Sequence, residues 1–400
     1  MLKQELIQSL ARSTPSHIIL LVIDGLGGLP DLKTRRTELE SANIPNLNEL
    51  AKSGICGLSI PVSAGITPGS APGHTALFGY DPLSVNIGRG VLEAVGIDFP
   101  IKQGDVLVRG NFCTVDEKGN ITDRRAGRIS TEFNTALCPL LEMTFDEVQV
   151  LTAPVREYRF VIAFRGQGLS PEVTESDPQL EGIPPSPVKA LSPKASKMAS
   201  IANKFAQKAA EILKDKHPAN MILMRGFSRT PHLTSMKEIY KLKPAAIATY
   251  PMYRGLARLV GMDVLSTGSS IWDEIATLKK YYNDYDFFFI HFKKTDAAGE
   301  DGDFDRKVKG LEEFDRSIPD VMALKPDVVI VTGDHSTPAM VKAHSWHPVP
   351  TVLYSAYCRF DAVRKFSETD CLRGGLGIFP ATDIMPLAMA NALKLNKYGA

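Results

Sequence analysis

Three apolar runs, far apart along the chain, most constrain what it can fold into. Ile18–Ile23, Tyr285–Phe292 and Val328–Val331 each end on a polar segment that carries carboxylates or imidazoles. Asp24-Gly25 follows the first run and Asp296 the second. Asp334-His335, and then His344 and His347, follow the third. Continuous apolar runs of this length read as strands buried on both faces of a parallel sheet, and the loops beyond their carboxyl ends commonly carry chemistry. Helical patterns alternate with them. Pro45–Gly54 places Leu47 and Leu50 on one face, Pro251–Val260 reads as a helix, and Ser270 caps a helix carrying Ile271, Ile275 and Leu278. Phe304, Val308, Leu311, Phe314 and Ile318 mark a further face. This rhythm predicts an α/β fold, a mostly parallel sheet with helices on both faces.

The texture changes between about 110 and 240. Short strand-like runs, Phe160–Phe164 and Met221–Met224, flank the proline-rich piece 168–187, which lacks the apolar content for a core. A helix follows, with Ser192 as its cap, Pro193 at its first position, and Met198, Ile201, Phe205, Ile212 and Leu213 near one stripe. Its lysines lie off that stripe and read as a solvated face. Since one core strand precedes this segment and the others follow it, the expected organisation is a discontinuous core, 1–109 with 241–400. A smaller α+β domain, 110–240, is inserted into it.

With 400 residues, 44% of them hydrophobic, the chain can bury a large core. A formal charge of +1 gives no ground for a nucleic-acid partner. The five cysteines are dispersed with no CxxC pair, as in reduced intracellular proteins, and no apolar run is long enough for a membrane span. The polar start of the chain does not resemble a secretory segment. A cytoplasmic protein without a membrane partner is expected.

In a parallel sheet the exits of distant strands meet at one edge, so Asp24, Asp296, Asp334, His335 and His344 can gather there. Carboxylates brought together repel unless a proton or cation intervenes, and imidazoles among them point to Mn²⁺ or Zn²⁺ rather than a calcium cage of oxygens. TPGSAPGH, residues 67–74, supplies a candidate nucleophile: Ser70 is a poor one alone, but an adjacent ion can activate it. His74, four residues on, suits an oxyanion or a proton. The loop lacks the GxxxxGK[ST] arrangement of a nucleotide P-loop. Arg89, Arg109 and the cluster Asp123-Arg124-Arg125 with Arg128 offer guanidiniums that match phosphate and carboxylate. A small phosphorylated carboxylic acid is the expected ligand.

DGLGGLP at 24–30, IPNLNELAKSG at 44–54, TPGSAPGHTALFGYDP at 67–82, IGRGVLEAVG at 87–96, TDAAGEDGDF at 295–304, and TGDHSTP at 332–338 followed by HSWHPVP at 344–350 carry a resemblance. Together they resemble the cofactor-independent phosphoglycerate mutases of the archaeal type, in the alkaline phosphatase superfamily. The resemblance covers most of the chain in order and is weakest around 140–220. It implies an alkaline-phosphatase-like core with an inserted substrate domain. The implied activity interconverts 3- and 2-phosphoglycerate, a step of glycolysis and gluconeogenesis, through a phosphoserine and with no 2,3-bisphosphoglycerate requirement. Two divalent ions are implied, with Mg²⁺ and Co²⁺ as further candidates beside Mn²⁺ and Zn²⁺. Ser70 would be phosphorylated. Asp24, Ser70, Asp334 and His335 would surround one ion; Asp296, Glu300 and His344 the other. His74 and the arginines would hold phosphate and carboxylate, with Lys293 or Lys294 near the metal edge.

Glu300 stands where the family usually carries histidine, which adds negative charge and favours harder ions. His347 stands where small polar or acidic residues are usual, as a replacement ligand or a neutral loop residue. The nearest rival activity is a metal-dependent phosphomonoesterase, or a mutase on another small phosphorylated acid. The rival of another class is a noncatalytic acid-binding homologue with a weakened metal site. Oligomeric state is not legible.

Overall fold

The computed structural model of the protein describes residues 3–85 and 87–399. The strands of the first half are β1 (Ile18–Ile23), β2 (Ile55–Ile60), β3 (Val106–Val115), β4 (Ile121–Asp123), β5 (Met143–Phe145), β6 (Val148–Arg156) and β7 (Arg159–Arg165). Those that follow are β8 (Met221–Ser228), β9 (Pro244–Ile247), β10 (Asp263–Val264), β11 (Phe287–Phe292), β12 (Val328–Thr332), β13 (Val349–Ser355) and β14 (Gly377–Pro380). They fall into two compact units, residues 3–85 with 233–399, and residues 87–232.

The first unit holds an eight-stranded sheet in the order β10-β9-β11-β1-β12-β13-β2-β14. All neighbours run parallel except β13, which is antiparallel to both β12 and β2. Because β1 aligns Ile23 with Phe292 and Val22 with Thr332, the three apolar runs end together. Asp24, the start of the helix Lys294–Glu300 and Asp334 therefore leave the sheet at one rim. The reversal at β13 keeps the 333–348 loop on that rim, and β2 exits there toward Ser70.

Ile19, Leu21 and Ile23 face one way and pack with Leu47, Leu50, Ile271, Ile275, Leu278, Leu311 and Phe314 from the helices Pro45–Ser53, Ile271–Tyr281 and Phe304–Asp315. Each such fully buried side chain contributes about 1.5–3 kcal/mol. On the other face Phe289 meets Phe78, at the end of the helix Ser70–Leu77, edge to face at 4.9 Å. Ser270 closes a capping box with Asp273, as its position predicts. The helix Phe304–Asp315 departs from expectation: Phe304 and Val308 are only partly buried, while Lys307 is fully buried.

The second unit is an antiparallel sheet, β4-β3-β7-β6-β5, with β8 paired to β3. The helix Ser196–Leu213 covers it with Met198, Ile201, Phe205 and Leu213. The unit begins earlier than residue 110, because the helix Arg89–Gly96 seats on β3: a Cβ at Gly90 would lie 2.4 Å from the Leu107 carbonyl oxygen. It also ends before 240, since the Tyr240 hydroxyl donates to the Phe78 carbonyl of the first unit at 3.1 Å. The proline-rich piece is no excursion. Ser176 pairs with the Met224 backbone at 2.7 and 3.0 Å, and Val173 joins the unit's core.

Candidate metal centre

The helix Ser70–Leu77 brings Ser70 to the rim. Gly73 lets it come close, since a Cβ there would lie 2.3 Å from the Asp334 carbonyl oxygen. Ser70 Oγ sits 3.1 Å from His335 Nε2. One donor atom each from Asp24, Asp334 and His335 falls within 4.8 Å of the others, and so does one each from Asp296, His335 and His344. His335 thus belongs to both groups. Its Nε2 is 3.4 Å from Asp24 Oδ1 and 3.1 Å from Asp334 Oδ2, and its ring stacks on that of His344 at 3.6 Å. His344 Nδ1 lies 2.9 Å from the Pro68 carbonyl oxygen, so it donates and Nε2 faces Asp296 Oδ1 at 3.5 Å.

Lys293 bridges the groups. Its ammonium is 3.0 Å from Asp24 Oδ2 and closer still to Asp296 Oδ2. Burial disfavours its charge, but Asp24 and Asp296 outweigh that and hold its pKa above the ordinary value. Burial likewise pushes Asp296 and Asp334 up. Asp296 is nevertheless held well below the carboxylate range by His344 and Lys293, and Asp334 by His335 and His74. His344 is raised to about 9, its hydrogen bond to Asp296 overcoming burial.

These residues fit divalent cations. Asp24 Oδ1 and Asp334 Oδ2 are buried without a hydrogen-bond partner, an arrangement costing a few kcal/mol each unless a cation uses them. The mixed carboxylate and imidazole donors match Mn²⁺ or Zn²⁺ chemistry.

Several expected residues sit differently. His74 is wholly buried behind the cluster, with Nδ1 2.9 Å from the Ser70 carbonyl and 3.2 Å from Asp334 Oδ2. It braces Asp334 from within the core rather than standing open to an oxyanion. Glu300 joins neither compact group; its carboxylate is half exposed, 3.7 Å from His344 Nε2. His347 turns to Ser345 Oγ at 3.1 Å. In the second unit, Asp123 accepts from the backbone N–H groups of Arg125 and Gly127 and shapes a turn. Arg124 is occupied by a two-point pairing with the buried Asp177 at 3.0 and 2.7 Å. Arg109 Nε lies 3.8 Å from Glu93 Oε1. Arg89, Arg125 and Arg128 are exposed.

His291 and Tyr253 were not singled out from sequence. The Tyr253 hydroxyl donates to Asp24 Oδ2 at 2.5 Å, and His291 stacks on its ring at 3.6 Å, with Nε2 3.2 Å from the same oxygen. The signal for His291 was present: it is the one polar residue within Phe287–Phe292.

A sheet rim so equipped gathers carboxylates and imidazoles that suit divalent cations beside a serine hydroxyl. The family model described as 2,3-bisphosphoglycerate-independent phosphoglycerate mutase matches residues 51–220. A Thermotoga neapolitana protein described as a probable enzyme of that name is 50% identical over 402 residues, covering 100% of this chain and 99% of its own. The PH0037 protein from Pyrococcus horikoshii has a solved structure with TM-score 0.84 at 30% identity, covering 97% of this chain and 100% of its own. The cofactor-independent phosphoglycerate mutase from Thermoplasma acidophilum matches at TM-score 0.74 and 31% identity, over 94% of this chain and 100% of its own. The chain belongs to the 2,3-bisphosphoglycerate-independent phosphoglycerate mutase family. Among the described residues no helix is long and apolar enough to cross a membrane.

Proposed function

We propose that the protein interconverts 3-phosphoglycerate and 2-phosphoglycerate through a phosphoserine at Ser70, without added 2,3-bisphosphoglycerate. The observation that carries this reading is Ser70 Oγ at 3.1 Å from His335 Nε2, beside the buried carboxylates of Asp24 and Asp334. Asp24, Ser70, Asp334 and His335 would hold one divalent ion, Mn²⁺ by preference. Asp296 and His344 would hold the second, with Glu300 as a further donor. Bound there, such ions would lower the proton affinity of the serine hydroxyl and polarise a phosphoryl oxygen.

Ser70 Oγ forms a bond to phosphorus as the bond from phosphorus to the 3-oxygen breaks; Ser70 gives up its proton and the 3-oxygen gains one. After glycerate turns, the 2-oxygen gives up its proton and bonds phosphorus as the bond from phosphorus to Ser70 Oγ breaks, and the serine oxygen regains a proton. The Lys293 ammonium, placed between Asp24 and Asp296, balances charge through both transfers. Arg89, Arg109, Arg125 and Arg128 would bind phosphate and carboxylate. Water must be kept from the phosphoserine, or hydrolysis diverts it. A cytoplasmic setting fits this chemistry.

The test is a coupled assay of Mn²⁺-loaded protein with 3-phosphoglycerate, scoring 2-phosphoglycerate and inorganic phosphate together. Formation of 2-phosphoglycerate without net phosphate, abolished by Ser70→Ala, is expected. Stoichiometric phosphate release instead makes the protein a phosphomonoesterase, and unaltered turnover by Ser70→Ala removes the nucleophile.

A further inference from the structure

One buried hydroxyl touches both ligand groups. Thr337 Oγ1 lies 2.8 Å from Asp296 Oδ1 and 2.9 Å from His335 Nδ1, and the residue is fully buried. A hydroxyl has one proton to give. The contact with Asp296 runs from the threonine hydroxyl to Oδ1, a carboxylate oxygen that accepts, so the proton goes to Asp296. The contact with His335 must then run from Nδ1–H to the threonine oxygen. That leaves Nε2 as the nitrogen facing Asp24, Asp334 and Ser70.

The backbone of Thr337 is pinned as firmly as its side chain. Its N–H donates to the Gly27 carbonyl at 3.0 Å. Its own carbonyl accepts from Lys307 Nζ at 2.9 Å, and the same ammonium donates to the Gly27 carbonyl at 2.9 Å. Lys307 is the fully buried lysine of the helix Phe304–Asp315, with Glu38 Oε1 3.9 Å away. It therefore laces the loop after β1 to the loop after β12. Glycines make room for this: a Cβ at Gly25, whose φ is +65°, would lie 2.5 Å from Thr337 Oγ1, and one at Gly299 would lie 2.2 Å from the Thr337 carbonyl oxygen.

We propose that Thr337, anchored by Lys307, is a positioning residue that couples the two ion sites, aiming Asp296 for one and fixing the ring tautomer of His335 for the other. The inference rests on the two-ion reading given above. Partners behind metal ligands of this kind typically change metal affinity 10–100-fold when removed.

The test is Mn²⁺ uptake by metal-stripped protein, measured against a competing chelator with metal counted per chain. Three forms are compared: wild type, Thr337→Val, which keeps the shape and loses the hydroxyl, and Thr337→Ser, which keeps it. Wild type is expected to bind two ions, Thr337→Val to bind both about 10–100-fold more weakly, and Thr337→Ser to stay within about 3-fold of wild type, since the hydroxyl remains. A valine variant with wild-type affinity at either site overturns the proposal while leaving the two-ion reading intact. A wild type that takes up no Mn²⁺ overturns both. A second measurement needs no variant: histidine-selective nitrogen NMR of Zn²⁺-loaded wild type should show a proton on Nδ1 of His335, and an unprotonated Nδ1 overturns the proposal.

Discussion

Gly73→Ala should cost the protein most of its turnover although it is conservative by every local criterion. Inside a helix, alanine in place of glycine is ordinarily stabilising by about 0.5–1 kcal/mol. Here the added Cβ would lie 2.3 Å from the backbone oxygen of Asp334, with the Asp334 Cβ at 3.1 Å. Ordinary contact begins near 3.4 Å, and a backbone oxygen has no rotamer by which to escape. The helix Ser70–Leu77 and the Asp334 loop must therefore separate by about 1 Å. That separation falls directly on the 3.1 Å approach of Ser70 to His335. A misplacement of about 1 Å costs on the order of 10²-fold in rate, and overpacking of this kind destabilises by about 1–3 kcal/mol.

Gly69→Ala is the control. Its Cβ would meet nothing nearer than Pro72 Cδ at 3.8 Å, and its φ of −86° suits any residue. The assay is kcat at saturating Mn²⁺ and 3-phosphoglycerate, with a melting curve for each form. Gly73→Ala is expected to lose roughly 100-fold, and Gly69→Ala less than about 3-fold, having no clash to relieve. If Gly73→Ala retains kcat within about 3-fold, close approach of helix and loop does not set the position of Ser70.

Other perturbations test other parts of the structure. Glu274 is buried, and desolvation, aided by the charge of Asp273, lifts its pKa to about 8. With the folded pKa above the unfolded one, its stabilising contribution is complete below about pH 4.5 and is lost as pH rises toward 8. Glu274→Gln should therefore gain on wild type by about 3.5 kcal/mol between pH 5 and pH 8 in urea unfolding; parallel pH profiles would contradict this. Asp177→Asn leaves Arg124 and Arg225 beside an uncharged buried group, and should lower the stability of the 87–232 unit by about 3 kcal/mol. A loss under about 0.5 kcal/mol, the level of an exposed pair, would argue against that anchor. Glu300→His, 3.7 Å from His344, should shift preference from Mn²⁺ toward Zn²⁺ in a competition titration. An unchanged ratio would remove Glu300 from the ligand set.

The rim was readable in the sequence because its strands are buried on both faces. Ile18–Ile23 and Val328–Val331 had to be central, so Asp24 and Asp334 had to leave the sheet side by side. Inward-facing polar groups were harder to place. The four-residue spacing of Ser70 and His74 puts both on a helix but does not say which meets solvent, and His74 proved to be the buried one. Lys307 lies between helix positions read as apolar, and only the carbonyls of Gly27 and Thr337 waiting in the core explain its burial. Arg124 looked as available as Arg125 because its partner, Asp177, lies fifty-three residues on in a piece with no regular structure. The edge of the second unit was hidden for a similar reason. Gly90 fits the helix Arg89–Gly96 against β3, and nothing local marks that contact.

Acid quenching during turnover of 3-phosphoglycerate, followed by peptide mass spectrometry, addresses the role of Ser70 without relying on rates. A phosphorylated peptide whose modified residue is Ser70, appearing only with Mn²⁺ and substrate and absent from Ser70→Ala, is the expected result. Phosphate on another side chain, or none on any during steady turnover, would contradict it.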